Sequence, residues 1–277
     1  MSLRIATNIA SINGQRQLFN TNNNMMRSLE RLSSGYRINK AADDAAGLAI
    51  SENLRAQIRG LKQANRNAND GISMVQVAEG GLSEVSNMLI RMRELSIQSA
   101  SDTIGDTERQ FTNVEFQQLK SEIQRVSEVT QFNGTPLLSG VGGILDFQIG
   151  VHNDPFNDRI SFDSSAANST LTSLGVSGET IGSKQGAQLS LDVIDEAIVK
   201  VNSMRANFGA LQNRLTSTIN NINISHENLS AANSRIRDTD VAEESAAMAK
   251  NNILLQAGVS VLGQANSIPN LALKLLG

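Results

Sequence analysis

The chain has no cysteine, no tryptophan, a single tyrosine and three prolines. Without cysteine there is no disulfide framework, no thiolate nucleophile and no Cys-based metal centre. Aromatic residues make up 3% of the sequence, too few to line a deep ligand pocket. The prolines, at 136, 155 and 269, leave long stretches of chain free to be helical. No apolar run approaches the ~20 residues of a membrane span. Lysine and arginine form no basic block and the net charge is -3, which argues against a nucleic-acid footprint.

What is present is aliphatic and amide-rich. Hydrophobic residues account for 40% of 277 positions, enough for a folded chain of one or two domains. Asn and Gln number 46, against 24 Lys and Arg and 27 Asp and Glu. Amides hydrogen-bond across close lateral contacts without the desolvation cost of charges; solvated helix faces account for them equally well. Residues 1–30 carry no signal-peptide core, because Asn and Gln interrupt every apolar stretch. Export, if it occurs, then uses a route that does not read such a signal.

Helical periodicity dominates. From Leu48 to Ser99, Leu54, Ile58, Leu61, Ala68, Ile72, Val75, Ala78, Leu82, Val85, Leu89 and Met92 follow steps of three and four. A second helix is predicted over 107–130, with Phe116, Leu119, Ile123 and Val126 on one face, closed by Asn133-Gly134-Thr135-Pro136. Segments 144–149 and 159–163 alternate and predict a β-hairpin within 141–163, followed by a Ser/Thr/Gly-rich loop. The clearest seam runs from Ile194 through Val201, Phe208, Leu215, Ile222 and Leu229 to Ile236, over six heptads. The helix around it covers roughly 186–237.

Both chain ends carry stripes too. Val241, Met248, Leu255 and Leu262 recur every seven residues, with Val259 between, and Ile5, Ile9, Ile12 and Phe19 have a similar spacing. Chain ends usually fray, so apolar stripes there need a partner. The expected fold class is mainly α: a long antiparallel helical bundle or coiled coil with a small β-hairpin, in which the N- and C-terminal helices pair. The expected domains are 1–42 with 236–277, and 43–235.

Candidate chemistry is sparse. His226-Glu227 begins a zinc-protease pattern, but Ser230 stands where the second histidine would be. His152 reads as a loop residue. Asp43-Asp44 precedes a predicted helix and suits a capping role better than a carboxylate pair of a hydrolase. Gly140-Val141-Gly142-Gly143 lacks the Lys-Ser/Thr and the helix of a phosphate loop. No catalytic, metal or cofactor site is expected, and no enzyme.

The run Leu32-Ser33-Ser34-Gly35-Tyr36-Arg37-Ile38-Asn39-Lys40-Ala41-Ala42-Asp43-Asp44-Ala45-Ala46-Gly47-Leu48 closely resembles bacterial flagellin. So do Asn69-Asp70-Gly71-Ile72-Ser73, Arg91-Met92-Arg93-Glu94-Leu95, Gln131-Phe132-Asn133-Gly134, Arg235-Ile236-Arg237-Asp238-Thr239-Asp240 and Gln264-Ala265-Asn266 with Pro269. The resemblance covers roughly 1–150 and 183–277. Ala6 stands where the family often has Asn, and Gly263 where Ala is usual.

The resemblance implies the structural subunit of the flagellar filament, in a short form without large outer domains. The alternatives are a hook–filament junction protein and, more remotely, an unrelated coiled-coil structural protein. It also implies that the terminal seam (Ile5, Ile9, Ile12, Phe19, Val241, Met248, Leu255, Val259, Leu262) packs between subunits in the filament's inner tube. The implied partners are further copies of the chain, an export chaperone at the C-terminal segment, and the filament cap and hook-junction proteins. An animal Toll-like receptor would meet Arg91, Leu95 and Glu122; Ile90 departs from the family's usual Gln beside them. The implied location is the extracellular filament, reached by type III export without a cleaved signal peptide.

Overall fold

The computed structural model describes residues 7–274, with side chains through residue 267. Six helices dominate: α1 (Ile9–Ser34), α2 (Ala45–Ala100), α3 (Asp106–Val129), α4 (Leu171–Leu174), α5 (Lys184–Arg237) and α6 (Val241–Lys274). At 1.5 Å per residue, α2 and α5 each extend ~80 Å. No helix among the described residues is long and apolar enough to cross a membrane.

Local chemistry sets the helix ends. The Asn8 side chain accepts from Ser11 N–H at the start of α1, and Gly35 (φ 75°) closes its end by donating to the Arg31 carbonyl. Asp44 caps α2, its Oδ1 accepting from Gly47 N–H at 2.8 Å. The Asp240 carboxylate does the same for α6, accepting from Ala242 and Glu243. Carbonyls at the end of α2 and just beyond it are met from α3: the buried Arg109 guanidinium donates to the Ser99 and Ser101 carbonyls, both at 2.9 Å.

The chain divides into two compact units. The first holds the described residues up to Ala56 and those from Asn228 onward; the second spans Gln57–Glu227. In the second, α2, α3 and α5 surround a core that includes Val75, Leu82, Leu89, Met92, Phe116, Ile123, Ile194, Val201 and Phe208. Helices α2 and α5 run antiparallel. Asn65 Nδ2 donates to Asn223 Oδ1 at 2.8 Å towards one end. Arg93–Asp195 and Lys184–Asp102 pair at 2.6 Å towards the other.

Two small antiparallel ladders complete this unit. Strands β1 (Gln131–Phe132) and β2 (Thr135–Pro136) are joined by Asn133 and Gly134, both at positive φ, as a two-residue hairpin turn requires. Strands β3 (Ile144–Gln148) and β4 (Arg159–Asp163) pair Ile144 with Asp163 and Gln148 with Arg159. Phe162 and Ile160 turn inward, and the Phe162 ring lies 5.4 Å from that of Phe208. The expected hairpin and helices are all present. The predicted loop over 164–183 contains the short α4, ended by Gly175 at φ 86°. Buried Lys120 ties the segment after α4 to α3 by donating to the Ser177 and Glu179 carbonyls.

Candidate functional site

The site of interest lies in the first unit, on the paired helices α1 and α6. Their pairing is antiparallel: Asn8 Nδ2 donates to the Ala265 carbonyl at 2.8 Å, and Arg31 meets Glu244 at 3.4 Å. Between these points the helices approach closely. A Cβ on Gly258 would lie 2.8 Å from Leu18 Cδ2, and one on Gly14 would lie 3.3 Å from Leu262 Cδ1. The inward row of α1 is Ser11, Leu18, Met25, Ser28 and Leu32, all buried or half-buried. Facing it on α6 are the half-buried Met248, Leu255 and Leu262, with Ala265 buried.

The stripes read from sequence therefore divide. Met248, Leu255 and Leu262 lie in the α1 contact. Ile9, Ile12 and Phe19 lie on the outside of α1, with Phe19 65% exposed, and Met26 and Leu29 extend that outer row. Val241 and Val259 are also exposed, as are Ile253, Leu254 and Val261 on α6. Ile5 lies outside the described residues. Periodicity alone missed the inward row of α1, because serines interrupt the Leu18, Met25 and Leu32 repeat while Ile9, Ile12, Phe19, Met26 and Leu29 make the outward side the more apolar one.

Where the chain passes between helices, the motif segments meet. Tyr36 bridges Asp238, Arg37 N–H donates to the Arg237 carbonyl at 2.7 Å, and Thr239 N–H donates to the Gly35 carbonyl at 3.0 Å. The Arg237 guanidinium stacks over the Tyr36 ring and pairs with Glu52. That hydrogen bond holds the Glu52 carboxyl below its ordinary range. Asp43, whose Oδ2 accepts from Lys40 and Asn39 N–H, is likewise lowered. Asp44 alone caps α2, while Asp43 closes the preceding loop.

In the second unit Arg91 is exposed and pairs with Glu94 and Glu115, each at 2.9 Å. Glu122 pairs with Arg125. Leu95 is buried in the core beneath. Among the described residues no group of three His, Cys, Asp or Glu side chains is placed to hold a metal ion.

Two helices paired through one face, with large apolar side chains left exposed on both, define a structural subunit built to associate. Residues 5–142 match the family described as bacterial flagellin N-terminal helical region, and 191–276 match the bacterial flagellin C-terminal helical region. The chain is 44% identical to a flagellin of Halalkalibacterium halodurans, over 97% of this chain and 98% of the relative. It is 42% identical to a flagellin of Bacillus subtilis over 99% of this chain and the whole of that one. Identity is also 42% with the flagellar filament 33 kDa core protein of Treponema phagedenis, over 97% of this chain and 98% of that one. The crystal structure of Bacillus cereus flagellin superposes with a TM-score of 0.51 at 30% identity, covering 57% of this chain and 88% of that one.

The chain belongs to the flagellin family. It is a structural subunit that self-associates into the extracellular bacterial flagellar filament, and flagellins are not enzymes.

Proposed function

We propose that the outward apolar rows of α1 and α6 are the contacts that build the filament. Ile9, Ile12 and Phe19 on α1, with Val241 and Val259 on α6, would pack against neighbouring copies in an inner tube formed by 1–42 and 236–277. Residues 43–235 would form the layer outside it. The observation that carries this reading is the exposure of Ile9, Ile12 and Phe19 while a different face of α1 meets α6. An isolated chain gains nothing from apolar side chains left in water, whereas each one buried between subunits contributes about 1.5–3 kcal/mol.

The same rows would serve other partners in turn. An export chaperone would cover the 241–277 segment before assembly, and the cap and hook-junction proteins would meet it at the two ends of the filament. Export would proceed without a cleaved signal peptide. A Toll-like receptor would bind the face bearing Arg91 and Glu122, with Leu95 supporting it from below.

The test is polymerisation of Phe19→Asp and of a chain truncated after Asp240. Both should fail to form filaments, and Phe19→Asp should keep the parent's helix content and melting temperature. Filaments from either chain at the parent's critical concentration would overturn the reading. Amide protection over 241–267 should rise on assembly; equal protection in monomer and polymer would remove the link between burial and order.

A further inference from the structure

Arg59, Lys62 and Arg66 recur at steps of three and four on α2, and so share one face. All three are exposed. Among the described residues the ion pairs made by α2 involve Glu52, Arg55, Glu79, Arg91, Arg93 and Glu94, and none of these three cations. Lys62 and Arg66, together with His226 of α5, line a cleft of about 350 Å³ whose remaining walls are Leu61, Asn65, Ile222 and Asn223. Asn65 donates to Asn223 across it at 2.8 Å, which fixes the spacing of the two helices there. No carboxylate lines this cleft. It is a cationic recess whose lining pairs Lys62 and Arg66 with amides rather than with a carboxylate.

At the other end of the same unit the imbalance reverses. Glu108, in the first turn of α3, and Asp192, on α5, are exposed and form no ion pair among the described residues. The Lys184–Asp102 pair joins the end of α2 to the start of α5 in this region. From Arg66 to Ala100 the rise along α2 is ~50 Å, so the two charged surfaces are far apart and cannot satisfy one another within one chain.

We propose that the Lys62/Arg66/His226 cleft is an assembly contact that receives carboxylates of a second copy, Glu108 and Asp192 at that copy's opposite end. The contact is heterologous: each subunit offers both halves, and repetition without closure extends a fibre. The inference rests on the filament-subunit reading and adds a polar, salt-sensitive contact to the apolar one on α1 and α6.

The test is the critical concentration of polymerisation against sodium chloride for four chains: the parent, Lys62→Glu/Arg66→Glu, Glu108→Lys/Asp192→Lys, and the combination of all four substitutions. Each reversal alone should raise the critical concentration about tenfold at low salt, as expected for opposed charges brought together. The combination should return to within about threefold of the parent, and the difference between parent and single reversals should shrink as salt screens it. Circular-dichroism melting of each monomer separates loss of contact from loss of fold; where Lys→Glu lowers the melt, Lys62→Gln/Arg66→Gln takes its place and should flatten the salt dependence.

A parent chain that never polymerises would sink the filament-subunit reading itself. A parent that polymerises, with reversals that change nothing or are not rescued in combination, would sink this inference alone. Saturable shifts of the His226 ring signals on titrating inorganic phosphate into the monomer, with polymerisation insensitive to the reversals, would assign the cleft to a free anion and also overturn it.

Discussion

The guanidinium carbon of Arg237 lies 4.7 Å from the centroid of the Tyr36 ring. The two residues are about two hundred positions apart in the chain, at the two places where it passes between a terminal helix and a long one. Around them two backbone hydrogen bonds join 35–37 to 237–239 as an antiparallel bridge. The stack should be measurable by a double-mutant cycle with Tyr36→Leu and Arg237→Gln. The expected coupling is about 0.5–1 kcal/mol, the usual value for a partly exposed cation over an aromatic face. Strict additivity in thermal unfolding would mean that the stack contributes nothing.

Adjacent glycines on α2 should respond in opposite directions. A Cβ on Gly80 meets nothing within 4 Å, whereas one on Gly81 would lie 2.7 Å from Leu138 Cδ1 and 2.8 Å from Thr130 Oγ1. Gly80→Ala removes an entropic penalty and should stabilise by roughly 0.5–1 kcal/mol. Gly81→Ala has the same propensity gain but pushes the 130–138 segment away, and overpacking of this kind typically costs about 1–3 kcal/mol. Melting temperatures that moved together would contradict the close packing at Gly81.

Lys120 is a buried cation whose Nζ serves two carbonyls, Ser177 at 2.7 Å and Glu179 at 2.9 Å. Lys120→Met keeps the aliphatic stem but removes the donor to both carbonyls, leaving Glu179 only its bond from Gln117 Nε2 at 3.2 Å. Losing hydrogen bonds made by a charged donor costs about 1.5–3 kcal/mol. The expected result is a lower melt with faster amide exchange over 176–181, while exchange along α5 beyond Val201 stays unchanged. Uniform exchange across the unit would show that the lysine does not act locally.

Acid should loosen the first unit through particular carboxylates. Asp43 is lowered chiefly by hydrogen bonds from Lys40 and Asn39 N–H, and Glu52 chiefly by its bond from Arg237. A carboxyl whose folded pKa lies below its unfolded one contributes stability above the unfolded value, about pH 4. That contribution is lost as the pH falls through the folded pKa. Asp43→Asn should therefore melt below the parent at pH 7, with the gap narrowing from about pH 4 downward. A gap independent of pH would mean that the charge on Asp43 is not what holds the loop.

Much of this architecture is legible in the sequence because its helices are long and their seams regular. Each of the seven seam residues named from Ile194 to Ile236 is buried or half-buried, since a repeat sustained over six heptads can cover its apolar face only as a helix against another. The alternation of 159–163 likewise marks β4, with Ile160 and Phe162 inward. Strands β1 and β2 were visible only as the turn between them, because two residues are too short to show a period.

What the residues determined alone was element type, the length of the inner helices, a cap at Asp43-Asp44 and, through the ordered motifs, the family. Which face of α1 meets α6 was decided only in the tertiary structure. Ser11, Gly14 and Ser28 are weak as hydrophobic signals, but they are small, and small side chains let two helices approach until Leu18 and Leu262 fill the space between. Close packing there outweighs burial of the larger Ile12 and Phe19, and leaves those two on the surface, where another copy of the chain can reach them.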